Sequence, residues 1–498
     1  KNLSGYSPII SSTFSLGAPF GLKLISFTET DARICWADTN KFKSSFEILL
    51  STNGTTYTAI ETIGKDTTSV VIPYQFLTSV TYSFRVCTHS EGDVKTYSDT
   101  VQAQLQYPAP QSLAMQNISE TSLKLQWTSA ATFDRSYSIE RKVSGGAYSE
   151  IAQVMSPVQQ YTDTAVQKNQ RYVYRVNAHS LYNSSAYSQE LFVACKVQSA
   201  VPSVPLVGHL TGVLAAAFSP IGNIFSSGGS DGRIVLWDAV SGGIVRNLAG
   251  HSRPVNGLAF SPDGSLLASA SSDNTIILWK VNDGTPVDTF KQHVSSVLCV
   301  AYSPDGKTIA SGGADQKVRL WYLATDSALA LPGHSAPINA VAFSTDGTML
   351  ASAGSDNTVR VWSTSTGFLL HILFGHSNAV TSVQFTPDNQ SLISGSLDKT
   401  FRVWRVSDGV LMQTITTDSS EVTSLAVSND GRLLASGCAD NRAHLCFNSD
   451  GLFPVSLSKH TQTVNAVAFS PAGSTLITAS NDQSVIIWQL ISTWTVMP

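Results

Sequence analysis

From Gly208 onward a single residue type keeps time. Trp237, Trp279, Trp321, Trp362 and Trp404 are spaced 42, 42, 41 and 42 residues apart, and Trp488 follows 84 later. A repeat of this length marks stacked copies of one supersecondary unit, none of which can bury its apolar face alone. Each copy opens on Gly-His or its remnant, at His209, His251, His293, His334, His376 and His460. An alternating apolar run then leads to Phe-Ser-Pro-Asp-Gly or a variant, as at Phe260–Gly264. Leu-Ala-Ser-x-x, an Asp and a second apolar run ending at the Trp complete the unit, as in Leu267–Trp279. Short period-2 runs separated by turn residues are strands, about four to a unit.

These repeats strongly resemble the WD-repeat family, over about residues 203–491. The resemblance implies a seven-bladed β-propeller of four-stranded blades. It also implies that four residues of each blade join in a buried hydrogen-bonded tetrad. The implied sets are His209, Ser227, Asp231 and Trp237; His251, Ser269, Asp273 and Trp279; and His293, Ser311, Asp315 and Trp321. Further along stand His334, Ser352, Asp356 and Trp362; His376, Ser394, Asp398 and Trp404; and His460, Thr478, Asp482 and Trp488. Their chemistry suits the role, since a buried indole, hydroxyl, imidazole and carboxylate must satisfy one another or each costs free energy. Blade six departs: Asp418 stands where the His is expected and Cys446 where the Trp is, so it is expected to diverge most. Ring closure needs an outer strand for blade seven. The segment Val201–Val207 is the favoured donor and the tail Ser492–Val496 its rival. Pro202 and Pro205 fit an edge strand.

Upstream, two stretches match at an offset of 90 residues. Arg85-Val-Cys-Thr-His-Ser90 parallels Arg175-Val-Asn-Ala-His-Ser180, and aromatic strands around Tyr82 and Phe84, and Tyr172 and Tyr174, precede them. Trp36 and Trp127 lie on earlier strands. The pattern looks like two fibronectin type III modules, sandwiches whose inner faces supply the core. The expected class is therefore all-β. The expected division is an arm over 1–17, sandwiches over 18–106 and 107–197, and the propeller over 198–498. Joins such as Tyr107–Pro110 and Ser199–Pro205 are short and proline-bearing, which implies limited bending.

Composition narrows the function. Only 13% of residues are charged, against about a quarter in an ordinary soluble domain, while Ser and Thr number 115. Lys and Arg are scattered, with no run to track a phosphate backbone, which argues against nucleic acid. Apolar stretches such as Val213–Phe218 are far shorter than the ~18 residues that span a bilayer. Six cysteines are too few for a disulfide scaffold. Cys35 and Cys87 have the spacing of an inter-sheet bridge, but Trp36, Tyr82, Phe84 and Val86 take the inward phase, so both thiols are expected to face outward.

No catalytic, cofactor or metal residues are expected. A hydrolase needs one exposed nucleophile with an oxyanion hole, not a His/Ser/Asp set repeated around a ring. No Cys/His spacing has the form of a zinc site, and Pro262–Gly264 and Pro304–Gly306 read as β-turns. The loops beside the tetrads are small and hydroxylated, with Arg253 and Glu421 the nearby charges, which argues against an acidic-motif reader.

The sequons at Asn2, Asn53, Asn117, Asn183 and Asn389 are candidate N-glycan acceptors, with Asn53, Asn117 and Asn183 in turn-like contexts. They and the hydroxyl-rich composition favour an extracellular or cell-surface protein, with the cytoplasm as alternative. Ile10, Phe14 and Leu16 give the N-terminal arm a strand pattern. It would pair either with its own sandwich or with a neighbouring subunit. The favoured function is a non-catalytic structural subunit of a homo-polymeric assembly, with a filament as one form it would take. An intracellular adaptor scaffold for other proteins is the first alternative. A carbohydrate-binding adhesive module, with Trp494 as a stacking platform for glycans, is the second.

Overall fold

The computed structural model describes residues 16–41, 43–167, 170–416, 420–447 and 455–497. Among these every regular element is a strand, and no helix is long and apolar enough to cross a membrane. The chain divides into two compact units. The first ends at Cys195 and takes in the residues from Trp494 onward; the second is Lys196–Thr493. Of the N-terminal arm, Ile10 and Phe14 lie outside the described residues, as does the sequon Asn2, while Leu16 is half-buried in irregular chain.

The first unit holds two cores, each between two sheets. Strands β1 (Phe20–Phe27), β2 (Asp31–Ala37), β3 (Lys43–Ser51), β4 (Thr58–Gly64), β5 (Ser69–Pro73), β6 (Thr81–Ser90), β7 (Lys95–Tyr97) and β8 (Val101–Gln104) build the first. Order β1-β2-β5 forms one sheet and β4-β3-β6 the other, with β7 and β8 both paired to β6. Ala32, Ile34 and Trp36 alternate inward from β2 and meet Phe46, Ile48, Tyr82, Phe84 and Val86. Cys35 and Cys87 are free thiols. Cys87 lies off the core face as expected, yet it is fully buried, because Glu47 and Tyr97 flank it on the neighbouring strands.

Strands β9 (Gln111–Ser119), β10 (Ser122–Thr128), β11 (Ser136–Val143), β12 (Ser149–Met155), β13 (Gln160–Asp163), β14 (Arg171–His179) and the start of β15 (Leu191–Pro202) build the second core. β13-β10-β9 faces a sheet in which β11 pairs β12 and β14, and β14 pairs β15. Trp127, Tyr137, Tyr174 and Val176 fill the space between them. Trp494 belongs to the same core: it is 3% exposed, its ring lies 5.8 Å from Tyr172, and Met497 N–H donates to Phe192 O at 2.8 Å. It therefore cannot serve as an exposed platform for a sugar.

The two sandwiches are tied by one buried polar knot. Asn183 Nδ2 donates to Glu29 Oε2 at 3.3 Å and to Phe76 O at 3.1 Å, and its Oδ1 accepts from Thr78 N–H at 3.0 Å. Leu181 N–H donates to the other Glu29 oxygen. This corrects the reading of Asn183 as a glycan acceptor: the amide nitrogen that a glycan would need is buried and engaged. Asn117 is exposed but lies within β9, paired opposite Leu123, and not in a turn. Asn53 is exposed in a turn, where its Oδ1 accepts from Thr55 and Thr56.

In the second unit, six four-stranded antiparallel blades follow one another, from Val213–Ala249 to Val422–Ser458. Blade seven supplies Val464–Phe469, Thr475–Ser480 and Ser484 onward. Its outer partner is the segment before blade one. Leu206 and Val207 pair with Val485 and Ser484, and Ser203 N–H donates to Ile487 O at 2.7 Å. The N-terminal segment thus takes the closing place, while the rival tail residue Trp494 is committed to the other unit. Blade cores are repetitive: Ile276, Leu278, Phe290, Val297, Ile309 and Trp321 form one cluster shared between neighbouring blades.

Candidate functional site

The tetrads are set by strand register. In blade two Leu267 lies opposite Trp279 and Ser269 opposite Ile277, which carries the hydroxyl to the indole edge. Trp279 Nε1–H donates to Ser269 Oγ at 2.8 Å, His251 Nε2 lies 2.7 Å from the same oxygen, and His251 Nδ1 lies 2.8 Å from Asp273 Oδ2. The other five sets repeat this geometry. Their indole-to-hydroxyl distances are 2.8 Å in Trp237, Trp321 and Trp404 and 2.9 Å in Trp362 and Trp488. Their His–hydroxyl distances are 2.8 Å at Ser227, Ser311, Ser352 and Ser394 and 2.7 Å at Thr478. His209, His293, His334, His376 and His460 each place Nδ1 within 3.1 Å of Asp231, Asp315, Asp356, Asp398 and Asp482 respectively.

This wiring decides the protonation state. With a carboxylate at Nδ1 and a hydroxyl at Nε2, the imidazole donates from Nδ1 and accepts at Nε2. Burial pushes the His251, His293, His334, His376 and His460 imidazoles below their ordinary range, against the pull of their Asp partners. Burial would raise the Asp273 carboxyl, but the Thr275 hydroxyl, His251 and the Ser252 N–H outweigh it, and the group ends below its usual value. Asp398 behaves alike through Thr400. Each hydroxyl is held at the edge of its Trp ring with no exposure at all, so no substrate carbonyl can approach it. A nucleophile closed on all sides is a strut.

Three sets of residues that sequence reasoning missed emerge from the fold. The first locks blade to blade. Asn256, Asn339 and Asn465 Nδ2 donate to Val297 O, Val380 O and Val213 O, each at 2.8 Å, and the Thr381 hydroxyl does the same to Val422 O. Thr423 reaches Val464 O likewise. The Asn465 bond joins blade seven to blade one. Their signal was an Asn or Thr one step after the residue that opens the innermost strand. The second set is apolar and exposed. On or beside the outer strands of blades four (Leu369–Leu373) and five (Leu411–Thr416), Phe368, Leu370, Phe374 and Met412 are 74, 46, 70 and 57% exposed. Alternation alone could not separate that edge from a packed one.

The third set lies in blade six. As expected from the sequence, Cys446 occupies the Trp position, buried opposite Leu434, while Asp418 lies outside the described residues; the unforeseen pair is Asp440 and His444. There Asp440 Oδ2 stands 3.3 Å from His444 Nε2 on its own hairpin. The histidines of the first unit are also internally bonded: His89 Nε2 meets Glu47 at 3.2 Å, and His179 meets Ser138 and Ser184 at 2.9 and 2.8 Å. Asn389, the last sequon, accepts from the Thr345 N–H and hydroxyl of the neighbouring blade, both at 2.8 Å, through its Oδ1.

The WD domain, G-beta repeat family matches residues 201–238, 242–280, 284–322 and 451–489. The first beta-propeller of WD repeat-containing protein 75 matches residues 343–435. No curated protein matches the chain. Matches to WD-repeat models thus fall on five stretches between residues 201 and 489.

Proposed function

We propose that the chain is a non-catalytic interaction scaffold whose propeller presents a surface to other proteins. One observation carries the reading. In the six blades that carry a full tetrad, the residues that would perform chemistry are buried and bonded to one another, which leaves the ring's surface as its working part. The exposure of Phe368, Leu370, Phe374 and Met412 along the outer edges of two successive blades supports it, because exposed apolar surface marks contact sites. In this proposal residues 18–106 and 107–197 are fibronectin type III-like modules and 198–498 the propeller. Support comes from the three-stranded β1-β2-β5 sheet and the five-stranded sheet of β3, β4, β6, β7 and β8 around the first core, and from β13-β10-β9 and β12-β11-β14-β15 around the second. An extracellular or cell-surface setting rests on composition and on the exposed sequons Asn53 and Asn117. Glycan mass at either tests it.

The experiment is partner capture by the full chain against the double variant Phe368→Asp/Phe374→Asp, with light scattering on both. These positions are outside the core, so the fold is retained. Loss of a stoichiometric partner in the variant is the expected result. Equal capture by both proteins would count against this edge. A mass that climbs with concentration far above 53.2 kDa, and collapses on removal of residues 1–17, would instead favour the homo-polymeric reading.

A further inference from the structure

We infer that blade six carries a binding site for a zinc-class divalent transition metal, formed by Cys438 Sγ, Asp440 carboxylate and His444 imidazole where the other blades hold a tetrad. Their three donor atoms lie within 4.8 Å of one another. A tetrahedral ion with bonds of roughly 2.0–2.3 Å wants its donors about 3.4–3.7 Å apart, a closure of ~1 Å that side-chain rotation supplies. Thiolate, imidazole and carboxylate together suit Zn²⁺ or Co²⁺ better than the hard cations, and three protein donors leave a position for water.

Position in the fold gives independent support. The residue equivalent to Cys438 is Gly229, Gly313 and Gly354 in blades one, three and four. A Cβ there would fall 2.4–2.9 Å from the tetrad imidazole and carboxylate. In those three blades the tetrad leaves no room for a Cβ, whereas the Ser at this position in blades two, five and seven turns away and donates to a loop carbonyl. Blade six puts a fully buried thiol there, 3.6 Å from Ser436 Oγ. His444 comes from the strand Arg442–Phe447 at the place that Arg319 takes in blade three, where the guanidinium meets Asp315 at 3.1 Å. A cation thus already faces this carboxylate in blade three, and in blade six the facing group can ligate. The Cys-x-Asp-x₃-His spacing fits no familiar finger, since the donors straddle a β-turn. A second grouping, Glu47, Cys87 and His89, is less suitable because Lys95 Nζ sits 3.7 Å from the Glu47 carboxylate.

Binding must expel the thiol proton, since the thiolate is the ligating form of cysteine. The metal–sulfur bond forms as the S–H bond breaks and the proton passes to solvent, so affinity rises with pH. The test is titration of the reduced full chain with Co²⁺ alone, read by the thiolate-to-cobalt charge-transfer band and the visible d–d bands. The expected result is one equivalent bound. The bands should vanish in Cys438→Ser, weaken more than tenfold in His444→Ala, and persist in Cys87→Ser. Ser occupies the same position in blades two, five and seven, so Cys438→Ser keeps the fold, which far-ultraviolet dichroism checks. Absence of the bands, or bands that survive Cys438→Ser and vanish in Cys87→Ser, would overturn the assignment.

Discussion

His251 shows how one residue's environment separates a strut from a catalyst. Its ring is buried between Asp273 and Ser269, so it stays neutral while the carboxylate stays ionised. The pH consequence follows from the direction of both shifts. Unfolded histidines take up protons near pH 6.5 and unfolded aspartates near 4, while the folded ones do so only lower. The unfolded chain therefore binds more protons as pH falls, and stability drops with it. Urea midpoints of the propeller should hold above about pH 6.5, decline below it and fall further below about pH 4. A midpoint that rises on acidification to pH 5 would mean that the imidazoles are charged in the fold. These tetrads were legible because His, Ser, Asp and Trp recur at fixed spacing. Asn183 was not, because a sequon in a turn-like context gives no sign that Glu29 and Phe76 of the other sandwich enclose it. Peptide mapping of the chain expressed through a secretory route should find no glycan on Asn183.

Strands and blades meet through a few bonds that periodicity does not reveal. Asn465 Nδ2 donates both to Val213 O and to Asn481 Oδ1, across the junction where the ring's last blade meets its first. Asn465→Ala leaves those acceptors without their donor and should cost about 1–3 kcal/mol. The same substitution at an exposed turn position such as Asn282 should cost little. Denaturant unfolding of the two variants decides it: equal midpoints would show that the closing bond carries no weight. The outer strand of blade seven was foreseen because a ring of this kind must close, and the proline-bearing Val201–Val207 suited an edge. The locking Asn and Thr residues were missed because each looks like any polar residue on a half-buried strand.

Within the first unit, Trp494 completes a core whose other members lie hundreds of residues earlier, including Tyr172, Leu191 and Val193. Trp494→Ala should cost about 3–5 kcal/mol, the usual penalty for emptying a buried aromatic site. It should lower the melting transition of that unit specifically. An unchanged transition would mean that the sandwich does not need the residue. A terminal Trp in a tail of alternating residues reads from sequence as surface, since nothing local shows which core it enters. For the molecule as a whole, the central claim is that its His/Ser/Asp sets are internal struts and that its function is presentation of a surface. The most direct test removes the hydroxyls of Ser227, Ser269, Ser311, Ser352, Ser394 and Thr478 one at a time, Ser→Ala and Thr→Val. Each variant is assayed for unfolding free energy and for ester hydrolysis. The account predicts a loss of ~1–3 kcal/mol in every variant, as a buried indole and imidazole lose their shared partner, with no hydrolysis in any protein. A single variant that keeps full stability while abolishing a hydrolysis present in the parent would contradict it.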